Sequence, residues 1–167
     1  MIRRAKILEI PDILAITRAC TEYMFSKGIF QWNESYPNPE ILTKDIIRRE
    51  LYVLEEDGII KGLVVLTTLK DPEYEDIRWL SPESFHGYVH RLAVHPQFQR
   101  NGLAGKLMDY VEDMAREMGM VSIRLDTFSQ NPGNQRFYES RGYTRLGSIH
   151  LPEQSPYPFY CYELPLH

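Results

Sequence analysis

The amino-acid sequence predicts an α/β fold, one domain with a mixed, twisted central sheet flanked by helices on both faces. Two segments and one bulk property carry that prediction. Residues 88–94 read as an apolar strand, ended by Pro96, which has no N–H to give to a sheet ladder. From Gly102 to Met118 the apolar positions Leu103, Leu107, Tyr110, Val111, Met114 and Met118 recur at helical spacing, with Lys106, Asp109, Glu112, Asp113, Arg116 and Glu117 opposite. The chain of 167 residues, 43% hydrophobic and 25% charged, is large enough for one sizeable core. No repeat, low-complexity stretch or linker divides it, which predicts one domain over 1–167.

The other elements follow in order. Residues 2–5 read as a short strand and the next segment leads into a helix, with Pro11 and Asp12 in its first turn and Lys27-Gly28 at its end. Residues 29–39, with two prolines, are a loop carrying Phe30, Trp32 and Tyr36, and Phe30 and Trp32 are expected to cap the core. A helix is predicted over 40–50, then a strand over 51–54. Asp57-Gly58 centres a hairpin turn, and a returning strand covers 59–69, where Gly62 marks a bulge. Residues 70–86 break the pattern, mixing acids with Tyr74, Trp79 and Phe85, and read as a loop that either receives an amine or is simply solvated. Residues 121–125 form a strand with Val121, Ile123 and Leu125 on one face and Ser122, Arg124 and Asp126 on the other. Asn131-Pro132-Gly133 opens a short helix through Ser140. Strands are expected over 143–150 and 157–164.

Composition narrows the function. A net charge of −4 argues against a general nucleic-acid binder. Cys20 and Cys161 have no metal or redox spacing and read as buried, reduced thiols of a cytoplasmic protein. No apolar h-region follows Arg3, Arg4 and Lys6, and no apolar run is long enough to span a bilayer, so neither a signal peptide nor a membrane segment is expected.

The turn between the 88–94 strand and its helix is the chemical centre of the sequence. Gly102 permits a backbone that residues with a Cβ resist, and small residues at Gly102, Ala104 and Gly105 let a bulky anion approach the main chain. Free N–H groups at a helix start attract phosphate, although glycines of this kind also merely shape turns. No Gly-Lys-Ser/Thr follows them, which disfavours a nucleotide-phosphate loop.

The stretch Gln99-x-x-Gly102-x-Ala104, preceded by Val94-His95-Pro96, resembles the Gln/Arg-x-x-Gly-x-Gly/Ala motif of the GNAT superfamily, the acetyl-CoA-dependent N-acetyltransferases. A second segment, Asn131 through Tyr143, resembles that family's Asn-x-x-Ala-x-x-Phe-Tyr-x-x-x-Gly-Phe/Tyr pattern, with Asn134 in place of the small residue. The resemblance implies a single GNAT domain and acetyl-CoA as co-substrate, with no metal. It implies that the main chain of Arg100, Asn101, Gly102, Leu103, Ala104 and Gly105, after Gln99, holds the pyrophosphate. It further implies that the edge at Leu92 and Val94 pairs with the pantetheine arm, that the Val94 N–H faces the thioester oxygen, and that Asn131 contacts the cofactor arm or caps its helix.

Transfer to an amine also needs protons moved. The resemblance makes Tyr138 the general acid, since a phenol with an ordinary pKa near ~10 keeps a proton to donate at neutral pH. Where many members carry an acid on the central strand, this chain has His90-Arg91. His90 is a candidate base or simply a strand histidine facing the sheet surface, with Glu163 and the acids of 70–86 as alternatives. The acceptor is expected to be a small amine or an N-terminal amine. A homodimer is compatible with the sequence. The rival reading is a module of the same fold that binds acyl-CoA without turnover.

Overall fold

Leu51–Glu56 and Ile59–Thr67 are joined by a two-residue turn in which Asp57 and Gly58 both take positive φ, 54° and 75°, the geometry an Asp-Gly hairpin requires. They are strands β2 and β3 of a seven-stranded sheet. In the computed structural model, which describes residues 1–166, the strand order is β1-β2-β3-β4-β5-β7-β6. The remaining strands are β1 (Ile2–Arg4), β4 (His86–Val94), β5 (Ser122–Phe128), β6 (Thr144–Ile149) and β7 (Phe159–Pro165). All neighbours run antiparallel except β4 and β5. Of the domain expected over 1–167, His167 lies outside the described residues.

The four helices lie on both faces, as the sequence predicts. α1 (Ile10–Ser26) and α2 (Pro39–Ile47) cover one face, where Ile13, Ile16, Leu42 and Ile46 pack on Leu51, Val53, Leu63 and Val65. α3 (Leu103–Glu117) and α4 (Pro132–Ser140) cover the other, where Leu103, Leu107, Met108, Val111 and Tyr138 pack on Leu54, Val64, Leu66, Ile123 and Leu125. The strand alternation of period two sorts residues between the two cores. α2 begins one residue earlier than expected, with Pro39 at its first position and Asn38 accepting a hydrogen bond from the Ile41 N–H. Gly62 sits at a bulge of β3 against β2, and an added Cβ there would lie 2.9 Å from the Ala93 carbonyl oxygen.

Residues 70–85 are mostly exposed, as the solvated alternative has it, with Tyr74 the buried exception. Pro72–Tyr74 form a 3-10 turn, and Tyr74 is fully buried against Tyr88 and Trp79, roofing the half of the sheet that α1 and α2 leave open. His86 and Gly87 are already in β4. Trp32 is buried as expected, whereas Phe30 is 51% exposed and contacts Phe25 at the surface. Both cysteines are free and buried. Among the described residues, no helix is long and apolar enough to cross a membrane.

Candidate active site

β4 and β5 pair only from His86–Tyr88 against Ser122–Arg124. Beyond those residues they part, so the second half of β4 has a partner on one edge alone, β3. The parting opens a cavity of about 720 Å3, with Val89, His90, Arg91 and Leu92 of β4 on one wall and Asp126 and Thr127 of β5 on the other. Asn134 and Tyr138 of α4, residues of α2 and its preceding loop, Asp71–Glu73 and the segment 151–154 also line it.

The open edge of β4 has a defined polarity. The His95 N–H donates to the Lys61 carbonyl oxygen of β3 at 2.9 Å. Neighbouring residues along a strand point their polar groups to opposite edges, so the N–H and C=O of Val94 face away from β3, and those of Leu92 share that side. The Val94 carbonyl is already used there, accepting from Gln99 Nε2 at 2.9 Å and from Cys20 Sγ at 3.2 Å. Gln99 therefore ties the turn back onto the strand with its side chain.

After it, Arg100 and Gly102 take positive φ of 67° and 76°. These two left-handed steps aim the chain into α3 with Gly102 as N-cap, and no atom lies within 4 Å of a Cβ built on Gly102. The first intrahelical bond is Lys106 N–H to Gly102 C=O, at 3.1 Å, which leaves the amides of Leu103, Ala104 and Gly105 without a helical acceptor. Fifteen residues of α3 direct their dipole at this end. Arg100, Asn101 and Gly102 are exposed, Gly105 is half-buried, Leu103 is buried in the core and Ala104 packs against that core. A turn with free amides, open space and a helix start suits a pyrophosphate.

The chemistry-bearing side chains converge at the parting. Tyr138 is 5% exposed, packed between Phe137, Tyr143 and Tyr162, and borders the cavity. Among the described residues its hydroxyl has no hydrogen-bond partner. Burial, and after it the negative charge of Asp126, holds its pKa well above the ordinary phenol value, so it stays protonated. Asn131 accepts from the Asn134 N–H at 3.2 Å and donates to Gln31 Oε1 at 2.9 Å. Its cap on α4 is thus plain, and Asn134, where the family pattern has a small residue, bridges to Thr127 Oγ1 at 3.3 Å.

Of the candidate bases, His90 borders the cavity, but burial, then Arg91, lowers its pKa to about 3. Its nearest carboxylate, Asp71, is 4.0 Å away. It is a neutral imidazole with little basicity. Glu163 is excluded by its surroundings: it is fully buried and accepts from the Leu80 amide, Ser122, Arg124 and, very closely, Ser81. Burial would lift its pKa, but those bonds together hold it below the ordinary value, which makes it a structural anion paired with Arg124.

The sequence reading missed Asp126 as a candidate base. It borders the cavity, accepts from the Tyr74 hydroxyl at 2.5 Å, and burial raises its pKa to about 6; the Tyr74 bond lowers it somewhat and the Asp71 charge raises it again. Its signal was the polar face of the 121–125 alternation. The other missed feature is Arg91. One extra residue in β4 against β3 forms a bulge near Arg91, whose φ is 54°. Its guanidinium donates to Asp45 of α2 at 2.7 and 2.8 Å and to the Tyr36 hydroxyl at 2.9 Å. Burial raises the Asp45 carboxyl against the pull of Arg91, but the two-bond geometry decides, and the pair is ionised.

A family model described as the acetyltransferase (GNAT) family matches residues 13–143. A structure described as an acetyltransferase from Staphylococcus aureus Mu50 is similar over 100% of this chain and 99% of its own, with TM-score 0.78 and 29% identity. A structure described as an acetyltransferase from Salmonella typhimurium with its cofactor acetyl-CoA shares the fold at TM-score 0.74 and 19% identity, over 100% of this chain and 94% of its own. The S-(2-succino)cysteine N-acetyltransferase of Bacillus subtilis is 26% identical over 144 residues, 84% of this chain and 81% of that protein.

Proposed function

The chain belongs to the acetyltransferase (GNAT) family, and from that membership we propose that it transfers the acetyl group of acetyl-CoA to a primary amine by direct attack in a ternary complex. One observation carries the reading: β4 and β5 part over a cavity bordered by an unpartnered phenol, Tyr138, and a carboxyl tuned to about 6, Asp126. Those are the two proton-handling groups the reaction needs, with pKa values on opposite sides of neutrality.

Acetyl-CoA supplies the thioester. The free amides of Leu103, Ala104 and Gly105, with the turn from Gln99 through Arg100, Asn101 and Gly102, would hold its pyrophosphate. The open edge at Leu92 and Val94 would pair with the pantetheine arm, and the Val94 N–H would stabilise negative charge on the thioester oxygen. Asp126 accepts the proton lost by the ammonium group, and Tyr138 donates one to the departing sulfur. His90, neutral, orients the amine by accepting a hydrogen bond. Asn131 supports the site by fixing the start of α4. The fold family's bound acetyl-CoA, seen in the Salmonella relative, supports the donor assignment.

The test is release of CoA thiol with a panel of amines, alongside mass detection of the N-acetyl product. Amine-dependent thiol release matched by N-acetyl product is the expected result. Acetyl-CoA binding with no turnover on any amine would make the protein a non-catalytic acyl-CoA-binding module.

A further inference from the structure

The 3-10 turn Pro72–Tyr74 lies outside the helices and strands that build the two main cores, yet it delivers a hydroxyl to the candidate base. The Tyr74 side chain is fully buried, its ring against Trp79 and Tyr88 with centroids 5.2 and 5.8 Å away. Its backbone is tied down as well. The Tyr74 carbonyl oxygen accepts from Trp79 Nε1 at 3.2 Å, and its N–H donates to the Asp71 carbonyl oxygen at 3.0 Å. A ring held in this way aims its hydroxyl at one atom, Asp126 Oδ2, 2.5 Å away and 52 positions along the chain. Burial, and after it the charge of Asp126, holds the Tyr74 phenol well above its ordinary pKa. The hydroxyl therefore keeps its hydrogen and donates it to the carboxylate.

That donor occupies one oxygen of Asp126 and leaves the other open. Among the described residues Oδ1 makes no hydrogen bond, while no buried side-chain oxygen lacks a partner. Oδ1 is therefore accessible, and the cavity is what Asp126 borders. A proton arriving at the carboxylate is directed to Oδ1, because Oδ2 already faces the Tyr74 hydrogen. Burial is the largest influence on this carboxyl and disfavours its ionised form, as do the charges of Asp71 and Glu73. Two groups favour the ionised form: the Tyr74 hydroxyl first, and Arg91 of β4 after it. Tyr36, Tyr138 and Cys161 also feel Asp126, but burial raises each of them, so they stay neutral.

We propose that Tyr74 is a positioning residue for acetyl transfer: its hydroxyl holds Asp126 Oδ2, so that Oδ1 meets the ammonium group of the acceptor. The ammonium gives one proton to Oδ1, which leaves a neutral amine and a carboxyl still bonded to Tyr74. This rests on the acetyltransferase reading and deepens it, and it makes the 70–85 segment part of the site. A hydroxyl donated to a carboxylate favours the ionised form, so removing it should raise the titration midpoint of Asp126 by about one to two pH units.

The experiment uses Tyr74→Phe, which keeps the buried ring. Asp126 is titrated by carboxyl-carbon NMR in parent and variant, with Asp126→Asn identifying its signal. On the same proteins kcat/KM is measured across pH with one responsive amine. The expected result is a midpoint raised by about one to two pH units in Tyr74→Phe, with the rising limb of kcat/KM moving up alongside it. A lower kcat with midpoint and limb both unmoved would overturn the proposal, since Tyr74 would then serve packing alone. So would a raised midpoint with the limb unmoved, because the reaction would then use another base. The parent supplies a second test that does not depend on Tyr74→Phe folding. The Tyr74 Cζ resonance should shift with the Asp126 titration and hold still over the same range in Asp126→Asn; a Cζ resonance that ignores that titration would also overturn the proposal. The two readings fail separately. Amine turnover with an unmoved midpoint keeps the acetyltransferase and removes the role of Tyr74, whereas a raised midpoint with no turnover on any amine keeps the hold of Tyr74 on Asp126 and removes the acetyltransferase.

Discussion

The two ends of the cleft are built from different material. The end proposed for the donor is main chain: the open edge of β4, a turn with positive φ at Arg100 and Gly102, and the free amides opening α3. The end proposed for the acceptor is side chains: Asp45, Asp71, His90, Arg91 and Asp126, contributed by a helix, a 70–85 segment and two strands. Binding a pyrophosphate requires only repeated N–H groups, which any sequence that forms the turn supplies. Moving a proton requires one group of tuned pKa at one place. The contrast predicts that substitutions at the donor end act on affinity and those at the acceptor end on turnover.

The largest expected effect is at Gly102. Its φ of 76° and the open space at its Cβ position mean that Gly102→Val both strains the turn and fills the volume the phosphate needs. Acetyl-CoA binding, followed by calorimetry on the folded variant, should be abolished. Undiminished affinity would put the phosphate elsewhere.

Next is Asp126→Asn. The loss in kcat should be about 10²–10⁴-fold, with acetyl-CoA affinity little changed. Stability should move the other way. The native carboxyl is raised to about 6, chiefly by burial, so folding penalises its ionised form. That penalty is in force above about pH 6 and fades as pH falls toward the ordinary carboxylate value near ~3.9. The variant should therefore gain stability at pH 8, up to about 3 kcal/mol, and nearly none at pH 4. Thermal melts at the two pH values check this, and an equal change at both would mean the carboxyl is not perturbed.

Tyr138→Phe keeps the ring and its packing against Tyr143 and Tyr162. It should lower kcat toward the lower part of the same range, because water substitutes in part for the phenol, and leave acetyl-CoA binding alone. Acyl donors with better leaving groups should suffer less. The smallest expected effect is His90→Gln. A ring already neutral is replaced by another hydrogen-bonding group, and kcat/KM should fall by less than about tenfold. A loss as large as that of Asp126→Asn would return the base to His90.

The same contrast explains what could be read from the sequence. The donor end is local: Pro96, Gly102 and the helical period after it fall within about twenty consecutive residues, so a turn-and-helix pattern marks it. The sheet strands and the Asp57-Gly58 turn are legible for the same reason. The acceptor end is not local. Arg91 meets Asp45 across 46 positions, and Tyr74 meets Asp126 across 52. Nothing in the neighbourhood of any of them announces the pairing. Glu163 looked available for the opposite reason: a carboxylate on the last strand shows its charge in the sequence, but not the four donors folded around it. The left-handed Arg91 at the β4 bulge was also hidden, since arginine is not a residue that marks positive φ.

The pH dependence of kcat/KM from pH 5 to 9, measured for the parent and for Asp126→Asn with one responsive amine, tests most directly the claim that the acceptor end moves protons by side chains. Asp126 must be ionised to accept a proton, so the parent should show a limb that rises through about pH 6, and the variant should lose that limb along with its activity. The same limb persisting unchanged in Asp126→Asn would contradict the account, because the titrating base would then be another group.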